Sequence, residues 1–373
     1  MISNIQLLRA LAAMAVVYFH ASYIFGGIHT DLKAVAVFFV VSGFIMTHIS
    51  RSRPDGFMPN RIKRIVPLYW MCTIAFFLLV NLELSNPLYK IPQVLGWLLH
   101  DRDTFQWYIE NKTGFTDGKL LDGLVRSLAF VPYRNEQGFM FPVLGVGWTL
   151  NLEMYFYAIF SICLLVNVRW APIITALVIV CVKMAAWTAS GESSLLTFYA
   201  DRYTGFFVLG ILIYYVFDKL PAWIERPVVA HRWTVGSLIA LLLIVFNCFP
   251  LLEIKKLLGY WPAMMLYFAL PSAVVLLALV LHKNGVRTSS RIILALGEAS
   301  FSIYLTHPFV AVIAETTFRD HPITSTLWNA VGAVAFVTVS GLVGLAAHHW
   351  IELPIIRAMR KSRVHAARIS TEV

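Results

Sequence analysis

NIQLLRALAAMAVVYFHAS, residues 4–22, holds two ionisable side chains, Arg9 and His20, in an otherwise apolar run. About 20 apolar residues suffice to cross a bilayer as a helix. An arginine in hydrocarbon costs roughly 2.5–3.5 kcal/mol on insertion scales, so a spanning helix that keeps one has a use for it. The run is too long for a signal-peptide core, has no basic segment before it and no A-x-A cleavage site after it. It therefore reads as a retained first span.

The rest of the chain follows suit. Of 373 residues 59% are hydrophobic and 13% charged, against about 25% charged in soluble proteins. Apolar runs recur at roughly 5–23, 32–50, 65–82, 143–166, 171–189, 203–218, 234–250, 262–282, 293–316 and 326–351. The fold class is all-α, a polytopic membrane bundle of about ten transmembrane helices. Lys and Arg set its orientation. With the N-terminus inside, 17 fall in the inner segments and 5 in the short outer loops, which predicts both termini cytoplasmic. The net charge of +10 is thus a topology signal. No basic block is interleaved with stacking aromatics, so nucleic acid is not an expected partner.

Residues 1–373 read as one integral-membrane domain, with a long outer segment at 83–142 and a cytoplasmic tail at 352–373. Within the outer segment, GKLLDGLVRSLAF places Leu120, Leu121, Leu124, Val125 and Leu128 on one helical face, opposite Asp122 and Arg126. That pattern predicts a helix lying on the membrane or capping the bundle. Cys72, Cys163, Cys181 and Cys248 all lie in apolar spans without CxxC spacing, and form neither a disulfide framework nor a metal site.

Eleven residues separate Arg9 from His20, three turns and about 20°. Both side chains leave the same helix face, about 16 Å apart. Each has a structural explanation, a snorkelling arginine and a packed histidine. Together they also describe a cleft with a cation at one end and an imidazole, a natural general base, at the other. Arg61 and Arg64 in NRIKRIVPLYW (60–70) share a helix face before the third span. They serve either topology or the binding of a phosphorylated ligand. In GVGWTLNLEMYFY (145–157), Glu153 is either half of a structural ion pair or an orienting carboxylate. Trp148 and Asn151 share a face there, as an interfacial anchor or a substrate contact. His307, before Pro308, is a second active-site candidate or a buried structural histidine. Glu352 reads as an interfacial carboxylate pairing with the basic tail. Walker, G-x-S-x-G, H-E-x-x-H and GxGxxG patterns are absent, which counts against a nucleotide pump, a metalloprotease and a flavoprotein.

Read together, these motifs resemble the acyltransferase-three membrane proteins, and most closely the branch that O-acetylates bacterial exopolysaccharides. The resemblance rests on IQLLRALAAMAVVYFHAS, FFVVSGFIM (38–46), NRIKRIVPLYW, GVGWTLNLEMYFY, SFSIYLTHPF (300–309) and WIELP (350–354), in that order across nearly the whole chain. It implies transfer of an acyl group, usually acetyl from acetyl-CoA, to a hydroxyl of a carbohydrate or lipid-linked glycan. The setting is the bacterial cytoplasmic (inner) membrane, with its lipid and polysaccharide assembly proteins as neighbours. Carried over by motif, His20 is the catalytic histidine with Arg9 its partner, Arg61 and Arg64 attend the donor, and Glu153 is the fourth-span carboxylate. Trp148, Asn151 and His307 are expected at the substrate. One position departs: many relatives carry an acid where this chain has Ala36, a role then left to Asp31 or to none. The alternative from another class is a proton-coupled transporter or polysaccharide permease, whose expected repeat symmetry the sequence lacks.

Overall fold

The computed structural model describes residues 2–27, 33–52, 56–84, 87–112, 118–135, 138–189, 194–220, 251–319 and 325–359. The elements are α1 (Ser3–Phe25), α2 (Lys33–Ser52), α3 (Phe57–Asn81), α4 (Pro87–His100), α5 (Arg102–Lys112), α6 (Gly118–Leu128), α7 (Trp148–Val166), α8 (Ala171–Thr188), α9 (Ser194–Tyr199) and α10 (Thr204–Asp218). After them come α11 (Leu251–Leu258), α12 (Tyr260–Lys283), α13 (Arg291–Glu298), α14 (Ser300–Arg319) and α15 (Thr326–Ala347). Eight helical stretches among these residues are long and apolar enough to cross a membrane, and the pair α13–α14 makes a ninth. The expected span at 234–250 lies outside the described residues.

The expectation of one continuous helix over 293–316 needs correcting. The chain bends by 73° between α13 and α14. The seam follows from Gly297, where an added Cβ would collide with the backbone of Gln6. Pinned against α1, the short helix ends at Ala299 and a new one starts at Ser300.

The bundle has an apolar core with a set of buried polar side chains, and an apolar outside. Leu165, Trp187 and Trp350 stand 80% or more exposed on its flanks, whereas Asn151, Ser302, His307 and Glu352 are buried. Lipid tolerates the first arrangement and penalises unpaired polar groups, which drives the second inward. At the centre α1 packs against α2, α12, α13, α14 and α15. Its buried Ala10, Ala12, Ala13 and Ala21 let those neighbours approach closely. Asn4 fastens its start: Nδ2 donates to the carbonyls of Ala278 (3.0 Å) and Val286 (2.8 Å), and Oδ1 accepts from Thr288 N (2.9 Å).

The tightest crossing joins α2 to α10, where Gly43 faces the Phe207 carbonyl and Gly210 faces the Val40 carbonyl. No Cβ fits at either position, so backbone meets backbone. Gly43→Val is expected to lower the thermal midpoint sharply in detergent, since overpacking alone costs about 1–3 kcal/mol where neighbours can shift. Here the neighbour is backbone and cannot shift. An unchanged midpoint would mean that the helices part without cost.

In α6 the Asp122–Arg126 pair forms at 2.7 Å. Leu121 and Val125 are exposed, as a membrane-surface helix requires. Its contact with the bundle is made by another stripe, Gly123 and Ser127. The Tyr69 hydroxyl donates to the Ser127 carbonyl (3.0 Å), and Trp70 Nε1 donates to the Leu128 carbonyl (2.8 Å).

Candidate functional site

Five helices contribute to a cavity of about 120 Å³ inside the bundle. α1 supplies Arg9, α2 Ser42, α3 Arg61 and Arg64, α7 Thr149, Glu153 and Tyr157, and α14 Ser300 and Tyr304, with Phe38, Phe39 and Phe301 among the apolar lining. Four of the sequence-predicted residues, Arg9, Arg61, Arg64 and Glu153, therefore meet in one space. α3 begins at Phe57, eight residues before the apolar run, so both of its arginines stand on regular helix, one turn apart.

Three guanidinium groups face one carboxylate here. Glu153 Oε1 accepts from Ser42 Oγ (3.1 Å) and from the Tyr157 hydroxyl, and those two hydroxyl oxygens lie 3.0 Å apart. The arginines keep donor capacity: Arg61 Nε has no hydrogen-bond partner among the described residues, and Arg9 reaches Gln6 Oε1 only at 3.5 Å. A pocket with more cationic donors than anionic acceptors suits an anion.

His20 and His307 form a second cluster. Their ring centroids lie 4.8 Å apart. His307 is fully buried, its Nδ1 3.3 Å from the Ile303 carbonyl and its Nε2 unpartnered among the described residues. Tyr304 links this pair to the cavity: it lines the cavity, lies 5.9 Å from the His307 ring, and shares a 2.9 Å hydroxyl bond with Thr149. The described contacts join Glu153 to Ser42 and Tyr157, and His20 to Phe19 and His307. Asn151 is buried, with both amide atoms unpartnered among the described residues. It lines neither of the cavities described here. Trp148 lines a second cavity, of about 400 Å³, together with Phe19 and Tyr23 from the far end of α1.

Glu352 corrects an expectation. It is buried, and accepts from Ser302 Oγ (2.7 Å) while His348 Nδ1 lies at 2.7 Å. The basic tail from residue 360 lies outside the described residues. A π-helical turn at His348–Glu352 carries this carboxylate inward, and such turns favour functional sites. Ala36 is fully buried in α2, and Asp31, the proposed substitute acid, lies outside the described residues.

Sequence reasoning passed over Ser42, Tyr157 and Tyr304. Tyr157 was within reach, since it follows Glu153 by one helical turn. Ser42 and Tyr304 sit in ordinary apolar helices, and only tertiary packing brings them to the cavity.

The comparisons with known proteins agree with this architecture. The model of an acyltransferase domain matches residues 2–346. The chain is 32% identical over 345 residues to the exopolysaccharide production protein ExoZ of Rhizobium meliloti (strain 1021), covering 89% of this chain and 92% of that protein. It is 23% identical over 380 residues to the peptidoglycan O-acetyltransferase OatA of Listeria monocytogenes, covering 95% of this chain but 56% of the relative. No solved structure matches it significantly. An all-helical membrane bundle that matches this domain over nearly its whole length, this chain belongs to the acyltransferase-three family.

Proposed function

We propose that the protein transfers an acetyl group from acetyl-CoA to a hydroxyl of a cell-envelope or exported carbohydrate, with His20 as general base. The observation that carries this reading is the meeting of Arg9, Arg61, Arg64 and Glu153 in one cavity, one aromatic residue away from the His20–His307 pair. Coenzyme A is a polyanion with a long neutral arm. Its phosphates take the guanidinium donors of Arg61 and Arg64 from the cytoplasmic face, where both chain termini lie in this reading. Arg9 adds charge deeper in, and Glu153 holds the arginines apart and charged. The pantetheine arm follows α1 towards His20. There the imidazole takes the proton of the acceptor hydroxyl as its oxygen attacks the thioester carbonyl. The C–S bond breaks, CoA leaves as thiolate and is protonated, and the acetyl ester remains on the sugar. Trp148 offers the acceptor an aromatic face from the second cavity, while Asn151 and His307, buried with polar atoms unpartnered among the described residues, line neither cavity. The names of the relatives, exopolysaccharide production and peptidoglycan O-acetylation, support a glycan acceptor; the apolar spans place the reaction in a membrane, read here as the bacterial inner membrane.

Purified protein in detergent, given labelled acetyl-CoA and carbohydrate acceptor, is expected to release free CoA only when acceptor is present and to place the label on the sugar. Gradient-driven uptake into vesicles without release of CoA would instead establish the transporter reading.

A further inference from the structure

Apart from Trp148, the second cavity, of about 400 Å³, has walls that the reaction so far does not use. It lies beyond His20 from the arginine pocket: Phe19, which lines it, meets the His20 ring edge-on at 5.2 Å. On α7, Trp148 and Leu152 line this cavity while their neighbours Thr149 and Glu153 line the other. The two spaces therefore approach each other at one level of the bundle, with the histidine pair between them.

Its lining is aromatic with one ion pair's worth of charge. Tyr23, Phe141, Trp148 and Tyr203 are among the rings, and Asp201 and Arg202 are the charged residues. Arg202 is set rather than loose. Its guanidinium carbon lies 5.5 Å from the Tyr203 ring and 5.1 Å from the Tyr267 ring, so two aromatic faces fix its plane. Asp201 is fixed by the Tyr203 backbone N–H, which donates to Oδ1 at 2.8 Å. That bond uses one of the carboxylate's roughly four acceptor sites.

Aromatic rings beside neighbouring Asp201 and Arg202 side chains match one chemistry well. A pyranose presents a C–H face, weakly positive, that lies on the negative face of an aromatic ring. Around its edge it presents hydroxyls that both donate and accept, for which a carboxylate and a guanidinium are complementary. An acyl chain would use the rings and leave the charged pair idle. At about 400 Å³ the cavity has space for a sugar unit.

We propose that this cavity is the acceptor site, holding one pyranose residue of the glycan against the aromatic wall with its hydroxyls on Asp201 and Arg202. The proposal rests on the acetyl-transfer reading for its purpose and not for its test. The probe is the surface polysaccharide of the producing cells, stripped of O-esters with mild alkali and cut to oligosaccharides. It is offered to the full chain in lipid nanodiscs. Without donor, saturation-transfer NMR is expected to show binding to the wild type, weakened at least tenfold in Arg202→Gln and in Phe141→Ala, which removes a partly exposed ring, with an unchanged thermal midpoint checking that each variant is folded. In transfer assays both variants are expected to raise the acceptor KM about tenfold and leave the acetyl-CoA KM unchanged. Equal binding by wild type and both variants, or no binding by the wild type, overturns the proposal. Variant-sensitive binding without acetyl transfer by the wild type keeps the cavity and removes the transfer reading instead.

Discussion

His20→Ala is expected to reduce acceptor-dependent CoA release by about 10²–10⁴-fold, the usual contribution of a positioned general base. Acetyl-CoA binding should be unchanged, because the groups proposed to hold the donor phosphates lie in the arginine cavity, which His20 does not line. His20→Gln is the sharper variant: it keeps a polar side chain of similar reach and still cannot take up a proton. If it retains wild-type turnover, the imidazole is not the base. A single turnover without acceptor separates two routes. An acetylated His20 recovered by peptide mapping indicates a covalent relay, whereas its absence alongside rapid transfer on adding acceptor indicates direct attack. His307 is the control, because its fully buried ring lies against His20. Its alanine variant is expected to perturb His20 indirectly, through the 4.8 Å contact between the rings.

The sequence carried the class of the fold plainly. Long apolar runs define helices because the bilayer leaves the backbone no other way to satisfy its hydrogen bonds. The arginine and histidine of α1 were visible for the complementary reason, since polar groups in such runs stand out against the background. What stayed hidden was everything set by contact between distant segments. The bend at Ala299 depends on Gly297 lying against Gln6, a contact that no local pattern encodes. The inward turn of Glu352 depends on one π-helical turn meeting Ser302 on another helix. Asp201 and Arg202 looked like an ordinary loop, and Arg202 counted only as a topology charge. Their place between Tyr203 and Tyr267 arises from the packing of α10 on α12. In α6 the conspicuous leucine face drew the eye, yet the buried stripe is Gly123 and Ser127, small residues that hydropathy does not reveal.

Removing both arginines of α3 tests the donor end of the cavity. Hydrogen bonds to charged groups contribute about 1.5–3 kcal/mol each, so Arg61→Ala alone is expected to raise the acetyl-CoA KM by roughly 10- to 150-fold. The Arg61→Ala/Arg64→Ala pair should raise it further, but by less than the product of the single effects. The two groups stand one turn apart on α3 and line the same cavity, and neighbouring contributions to one proposed ligand do not add. The acceptor KM should not move, because neither arginine lines the second cavity. Salt supplies an independent check. Screening weakens charge pairs that remain open to solvent, so the wild-type donor KM is expected to climb between low and physiological salt, and that of the double variant to stay nearly flat. Lysine at both positions restores the charge without the planar fork, and should recover part of the affinity. A double variant with wild-type donor KM and unaltered salt dependence would mean that these arginines serve topology alone, and that the anion enters the bundle elsewhere.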